Sequence, residues 1–170
     1  MSSESITTAI ILITVLISAG IFFSAFIPAI MDSSSTQIES ASLESERLLT
    51  DLTVTMTHAK DGEGVAYVWI KNSGILRLST ASLEQSDVFA GTVSDFERLE
   101  YQKSGELGNG RWRYEIISPD APNDYLDRKE TLLITLKSTK LPNAGGSAYF
   151  RTVLSNGYEI TKLFEVLGDI

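Results

Sequence analysis

The sequence predicts an amino-terminal transmembrane or filament-core α-helix followed by an all-β, antiparallel, immunoglobulin-like sandwich. Three observations carry this reading. Ser5–Met31 contains no charged residue. At Asp51 the hydrophobic period changes from about 3.6 residues to 2. From there on, clusters of Gly, Pro, Asn, Asp and Ser separate one short apolar run from the next.

The apolar run comes first. At about 1.5 Å per residue it extends about 40 Å, more than the roughly 30 Å hydrocarbon core of a bilayer. Ile10-Ile11-Leu12-Ile13, Val15-Leu16-Ile17 and Ile21-Phe22-Phe23 are too apolar for one helix of a soluble core this small. Thr7, Thr14, Ser18 and Ala25 fall at spacings of seven, four and seven and share one helix face. Gly20 with Ser24, and Ala25 with Ala29, add small-xxx-small pairs, the usual device for close helix approach in an apolar medium. These residues are the expected helix-packing positions. Pro28 falls near the end of the run, where a kink is tolerated. The tail Met1-Ser2-Ser3-Glu4 has no Lys or Arg, and the run exceeds a secretory h-region, so retention of an unprocessed segment is expected.

Residues 32–50 turn to Ser, Thr and Glu and read as a polar helical stalk, with Ile38, Ala41, Ser45, Leu48 and Leu52 in a narrow stripe. Ser34 and Gln37 have the capping-box form. Either a new helix starts there or the apolar helix runs on. Residues 1–31 are then the membrane-anchor or filament-core helix, 32–50 the stalk and 51–170 the sandwich.

Within residues 51–170, Leu52, Val54 and Met56 alternate with threonines, and the same parity puts His58 on their face. Trp112, Tyr114 and Ile116 alternate with Arg111, Arg113 and Glu115, the mark of a half-buried strand. Val65–Ile70 and Thr131–Leu136 are apolar on both faces and should be central, with Trp69 and Trp112 in the core. Asn156-Gly157 reads as a two-residue hairpin turn with positive φ at both positions. That register sets Val153 against Ile160, Tyr149 against Phe164, Phe150 against Leu163 and Arg151 against Lys162. Val153, Ile160, Tyr149 and Phe164 are assigned to the core, which turns Phe150 and Leu163 outward as the expected partner-binding face.

Chemistry is hard to place on this chain. No cysteine is present and His58 is the single histidine, which excludes a Cys-based zinc site and a His-rich metal site. A net charge of −8 makes nucleic acid a poor partner. Asp120, Asn123, Asp124 and Asp127 form the acidic loop that calcium would favour, but the EF-hand spacing is missing and an ordinary turn beside Pro119 and Pro122 uses the same residues. No nucleophile elbow, phosphate loop or dinucleotide fingerprint occurs. No catalytic residue, metal site or cofactor is expected.

Several segments, taken in order, carry a resemblance. They are Ser5–Ile11, Glu44-Ser45-Glu46-Arg47, Val68-Trp69-Ile70-Lys71-Asn72-Ser73-Gly74, Gln85–Gly91, Phe96-Glu97-Arg98-Leu99 and Leu154-Ser155-Asn156-Gly157-Tyr158. Together they resemble the archaellum accessory family of G and F proteins over nearly the whole chain, and the G branch of methanogens more than F. The resemblance implies a non-catalytic, stator-type motility protein, held in the archaeal cytoplasmic membrane by one helix with its sandwich outside. It implies self-assembly into an oligomer or filament, contact with the archaellum F protein, and contact with the surface-layer protein through F. Membrane lipid would surround the helix. One departure stands out: Arg128-Lys129 precedes Glu130-Thr131-Leu132 where a Pro-Gly turn is expected. The competing readings are an archaellin- or pilin-like filament subunit and a membrane-anchored extracellular binding module.

Overall fold

The computed structural model describes residues 3–118 and 123–167. The chain divides into two compact units, Met1–Leu43 and Glu44–Ile170. One helix, α1 (Ser3–Leu49), runs unbroken across the boundary, so the polar segment continues the apolar helix. The side chains of Ser34 and Gln37 lie outside the described residues. Pro28 sits well inside α1, where it removes one backbone bond to the carbonyl a turn before it. Stretch Glu4–Met31 is long and apolar enough to cross a membrane. Thr8, Thr14 and Ser24 each donate their hydroxyl hydrogen to the carbonyl of Glu4, Ile10 and Ile21 at 2.9 Å. Each polar group is thereby satisfied within the helix, as an apolar surrounding requires.

The second unit holds β1 (Leu52–Lys60), β2 (Val65–Asn72), β3 (Leu78–Ser79), α2 (Thr80–Glu84), β4 (Asp87–Gly91), β5 (Phe96–Tyr101), β6 (Arg111–Ile117), β7 (Tyr125–Leu126), β8 (Thr131–Lys137), β9 (Ser147–Val153) and β10 (Glu159–Glu165). Strands β3 and β7 form a small pair; the other eight follow the order β1-β2-β8-β6-β5-β4-β9-β10. The inner faces of β1-β2-β8-β6 and of β5-β4-β9-β10 close on one core, in which Val68, Ile70, Trp112, Ile134 and Leu136 meet Val88, Ala90, Leu99, Ala148 and Phe150. This is a β-sandwich. Its ladders are antiparallel except at the corner, where Glu100↔Arg111 and Tyr101↔Trp112 pair β5 with β6 in parallel. The short α2 has no apolar period long enough to announce it; Ser79 caps it, its side chain accepting from Ser82 N at 3.1 Å.

Three local readings change. A β-bulge between Val54 and Met56 shifts β1 by one residue against β2. Leu52 and Val54 stay inside, whereas Met56 and His58 pair with outward Trp69 and Tyr67. Trp112 is in the core at 1 % exposure, but Trp69 points out of the sandwich, half-buried.

The last hairpin is the second correction. Leu154 N donates to Tyr158 O at 2.8 Å, and Gly157 N to Leu154 O at 2.9 Å. Gly157 has φ +77°, while Asn156 does not take positive φ. The connection is therefore a three-residue loop, a type I turn followed by a left-handed glycine, in place of a two-residue turn. Every partner moves by one: Phe150 pairs with Lys162, Tyr149 with Leu163, Arg151 with Thr161 and Val153 with Glu159. Phe150, at 0 % exposure, is a core residue and not part of a partner face. Leu163, at 52 %, does point outward, beside Tyr149. Arg151 escapes the expected clash with Lys162 and is ion-paired with Glu159.

The third concerns the turn before β8. Glu130 N donates to Asp127 O at 3.2 Å and Lys129 N to Asn72 O at 2.8 Å, so the turn forms without Pro-Gly. Lys129 occupies the glycine position at φ 76°, alone among the described non-glycine residues in this region.

Candidate interaction surfaces

The motif residues are explained first by a junction that fixes the end of α1 to the sandwich. Thr50 Oγ1 donates to Glu46 O at 2.8 Å and accepts from Asn156 Nδ2 at 2.9 Å. Asn156 Oδ1 accepts from Tyr158 N at 3.0 Å, and the Tyr158 hydroxyl accepts from Leu52 N at 3.1 Å. Across this joint the amides of Ile75 and Leu76 donate to Leu49 O at 3.0 and 3.1 Å. Ser73 and Gly74 donate to Asp51 O, both at 2.9 Å. Gly74 is required by this approach, since a Cβ there would lie 2.7 Å from Leu49 O. Fully buried Asn72 completes the joint: its Nδ2 donates to Leu76 O at 2.9 Å and Leu126 O at 3.1 Å, and its Oδ1 accepts from Gly74 N. Asn72-Ser73-Gly74 and Asn156-Gly157-Tyr158, far apart in sequence, thus converge on residues 49–52. The carbonyls of Leu49 and Asp51 and the Thr50 hydroxyl are thereby each bonded to the sandwich loops.

Two apolar patches stand on the outer faces. On β1-β2-β8, Met56 is 53 % exposed next to Trp69, whose ring lies 6.2 Å from that of Tyr67. His58 stacks on Tyr67, also at 6.2 Å, and this ring contact is what the structure gives it. Leu133 pairs with Trp69 and extends the patch. On β5-β4-β9-β10, Phe96 is 49 % exposed, with Phe89 at 6.2 Å and Tyr149 at 5.2 Å between ring centres. Gly91 lies in the ladder between Phe96 and Tyr149, and its missing side chain lets the rings meet over it. A Cβ at Gly91, φ +152°, would fall 2.6 Å from Phe96 Cα. Leu163 adjoins Tyr149 at the β10 edge.

Of the expected surface residues, the structure thus brings Leu163 into an outer patch and removes Phe150. Sequence reading missed Trp69, Tyr67, Phe89 and Tyr149 because each strand reads as apolar on both sides. Their outward direction follows from the alternate positions that fill the core: Ala66, Val68 and Ile70 on β2, Val88 and Ala90 on β4, Ala148 and Phe150 on β9. Thr7, Thr14, Ser18, Gly20, Ser24 and Ala25 all lie on exposed parts of α1. Space around Gly20 is open, with nothing within 4 Å of an added Cβ.

In the acidic loop, Asp120 and both prolines lie outside the described residues. Asp127 is ion-paired with Arg77 and accepts from Asn123 Nδ2 at 2.9 Å. The Arg77 guanidinium, then Asn123, holds its carboxyl below the usual carboxylate range. Arg77 also stands 4.5 Å over the Tyr125 ring. Among the described residues, no group of three or more His, Cys, Asp or Glu gathers around a metal-sized site.

Geometry therefore defines a helix-borne β-sandwich with two apolar outer patches. No protein-family model matches the chain. An uncharacterized protein of Archaeoglobus fulgidus is 23% identical over 167 residues, spanning 96% of this chain and 99% of that one. Among solved structures, the archaellum periplasmic stator protein FlaG from Sulfolobus acidocaldarius matches with TM-score 0.53 and 16% identity, over 68% of this chain and 100% of that chain. The FlaF–FlaG stator complex of the same organism matches with TM-score 0.53 and 16% identity, over 68% and 90%. The archaeal flagellum of Methanospirillum hungatei matches with TM-score 0.62 and 14% identity, over 95% of this chain and 93% of that one. The chain has the fold shared by archaellum FlaG and the archaeal flagellar filament subunit.

Proposed function

We propose that this chain is a non-enzymatic structural component of the archaellum machinery, of stator type. Its α1 crosses the cytoplasmic membrane once, and residues 51–170 stand outside it. The single observation that carries this reading is the FlaG likeness, which covers the whole of that solved chain. The clamp at residues 49–52 fits a part that must pass force between anchor and domain. Because FlaG is solved together with FlaF, an F-type protein is the proposed partner, with the surface layer reached through it and lipid around the apolar helix.

A second reading, a subunit of the filament itself, is favoured by the higher TM-score of the flagellar filament and by its coverage of helix and sandwich together. Fractionation of native cells separates the two. The stator reading expects the chain in the membrane fraction, its sandwich cut by protease added outside, and an F-type protein recovered with it. Recovery chiefly from sheared extracellular filaments would replace it with the subunit reading.

A further inference from the structure

The end of the sandwich away from residues 49–52 carries a cleft. Strand β1 leaves the joint at Leu52, paired with Asn72, and reaches Lys60, paired with Val65. Lys137 pairs with both Val65 and Arg111, so the loops after Lys60, before Arg111 and after Lys137 meet at that end. Between them lies a cleft of about 330 Å³. At about 3.3 Å per residue, β1 sets it about 25–30 Å from the joint. Its frame is fixed by the protein alone. Ser138 N donates to Gly64 O at 2.8 Å and Gly110 N to Lys137 O at 2.9 Å, which ties the three loops together. Fully buried Ser138 donates its hydroxyl hydrogen to Glu97 and accepts from Lys140 N at 3.0 Å. Ala144 N donates to Asp61 Oδ1 at 2.9 Å, and Gly146 N to Asn143 O at 3.0 Å. Gly64 has φ +63°, and a Cβ there would lie 2.8 Å from Ser138 O, so this close approach requires glycine.

The side chains that line this frame are uncommitted. Among the described residues, Asn109, Thr139 and Asn143 make no side-chain hydrogen bond, and Lys137 makes no ion pair. Lys140, next to them in the chain, is held by Asp95 at 2.6 Å. Glu63 lines the cleft with a partner of its own, and Leu141 and Pro142 supply an apolar stretch of wall. We propose that the cleft binds the end of a neutral saccharide. Two carboxamides, a hydroxyl and an ammonium suit sugar hydroxyl groups, each of which both donates and accepts. The charges of Lys137 and Glu63 offset each other, so a bare anion or cation gains little there. The apolar wall suits the C–H face of a sugar ring, and the volume is at the lower end of small-molecule sites, enough for one or two rings. Because the loops are already tied together, binding does not have to order them. The inference goes beyond the structural-component reading and does not depend on it.

The test uses the full chain, labelled with ¹⁵N, in a phosphocholine detergent, which carries no sugar of its own. Glucose, galactose, mannose and N-acetylglucosamine are titrated in turn, with glucuronate, glucosamine and inorganic sulfate as charged controls. At least one neutral sugar should move the amide signals of Gly62, Gly64, Asn109, Thr139 and Asn143, and the shifts should saturate. The charged controls should bind at least about tenfold more weakly than that sugar. Lys137→Met and Asn143→Ala should each weaken its binding at least about tenfold, since each removes a hydrogen-bonding group from the cleft. Asn143 is exposed in a loop, so its variant carries the test if Lys137→Met fails to fold. Three results would each overturn the proposal: no saturating shift at these amides with any of the four sugars, unchanged binding in a folded variant, or sulfate or a charged sugar binding as well as the best neutral one.

Discussion

Phe150 and Leu163, taken from sequence as one outward pair, should part company on mutation. Phe150 is fully buried on the inner face of β9, paired with Ala90 and Lys162 on either side. Removing a ring that hides about 150–250 Å² costs about 4–6 kcal/mol at about 25 cal/mol per Å², overlapping the about 3–5 kcal/mol of buried Phe→Ala. Domains of this kind have about 5–15 kcal/mol in all, so Phe150→Ala should take away a large part of it. Leu163 stands half in solvent, and Leu163→Ser should cost less than about 1 kcal/mol. Urea unfolding of both variants, followed by tryptophan fluorescence, reads the difference directly. Near-equal midpoints, or the larger loss at Leu163, would refute the hairpin register and with it the composition of the outer face of β5-β4-β9-β10.

Four further outcomes follow from the geometry. Lys129→Gly should stabilise by about 0.5–1 kcal/mol in thermal unfolding, because glycine takes φ 76° without the left-handed penalty; a loss would mean the Lys129 side chain matters more than its backbone. A sandwich begun at Glu44 should be about 2–3 kcal/mol more stable than one begun at Asp51, since the shorter form loses Thr50 and the Leu49 carbonyl; equal midpoints would make the clamp dispensable. Ser18→Leu in full-length protein should weaken helix association at least tenfold in detergent crosslinking if the face of Thr7, Thr14, Ser18 and Ala25 is a packing seam, and leave membrane insertion intact; unchanged crosslinking removes the seam. Asp127, whose folded pKa is depressed, supports folding above its unfolded value near 4 and loses that support as pH falls through the lower folded value. Arg77→Gln should raise the Asp127 titration midpoint in an NMR pH series, and an unmoved midpoint would remove Arg77 as the cause.

Much of the architecture was legible because it rests on local pattern. The uncharged run to Met31 could only be an apolar helix, and Trp112-Tyr114-Ile116 had only one face to bury. The turn signals separated the longer strands correctly. What the sequence hid was parity. Asn156-Gly157 is compatible with two hairpin loops, and the choice was made by bonds from the Asn156 side chain to Thr50 and to the Tyr158 amide. Nothing within the hairpin itself records the Thr50 bond. The β1 bulge has no Gly to mark it either, because Thr53, Thr55 and Thr57 alternate evenly through it. Since one residue of slip turns every later side chain to the other face, these two events exchanged Phe150 for Tyr149 and moved Met56 and His58 outward, while Trp69 faces out because Ala66, Val68 and Ile70 fill the core from β2. The candidate surfaces depended on both, which is why they were less legible than the fold.

Swimming is the most direct test of the central claim. Cells deprived of this chain should stop swimming, and re-expression of the full chain should restore motion, whereas the sandwich released from α1 should not. The loss should be mechanical: filament subunits should still be made, and His58→Ala in the restored chain should leave swimming unchanged. Cells that swim at normal speed without the chain, or that are rescued equally by the sandwich alone, would contradict an anchored structural part of the archaellum.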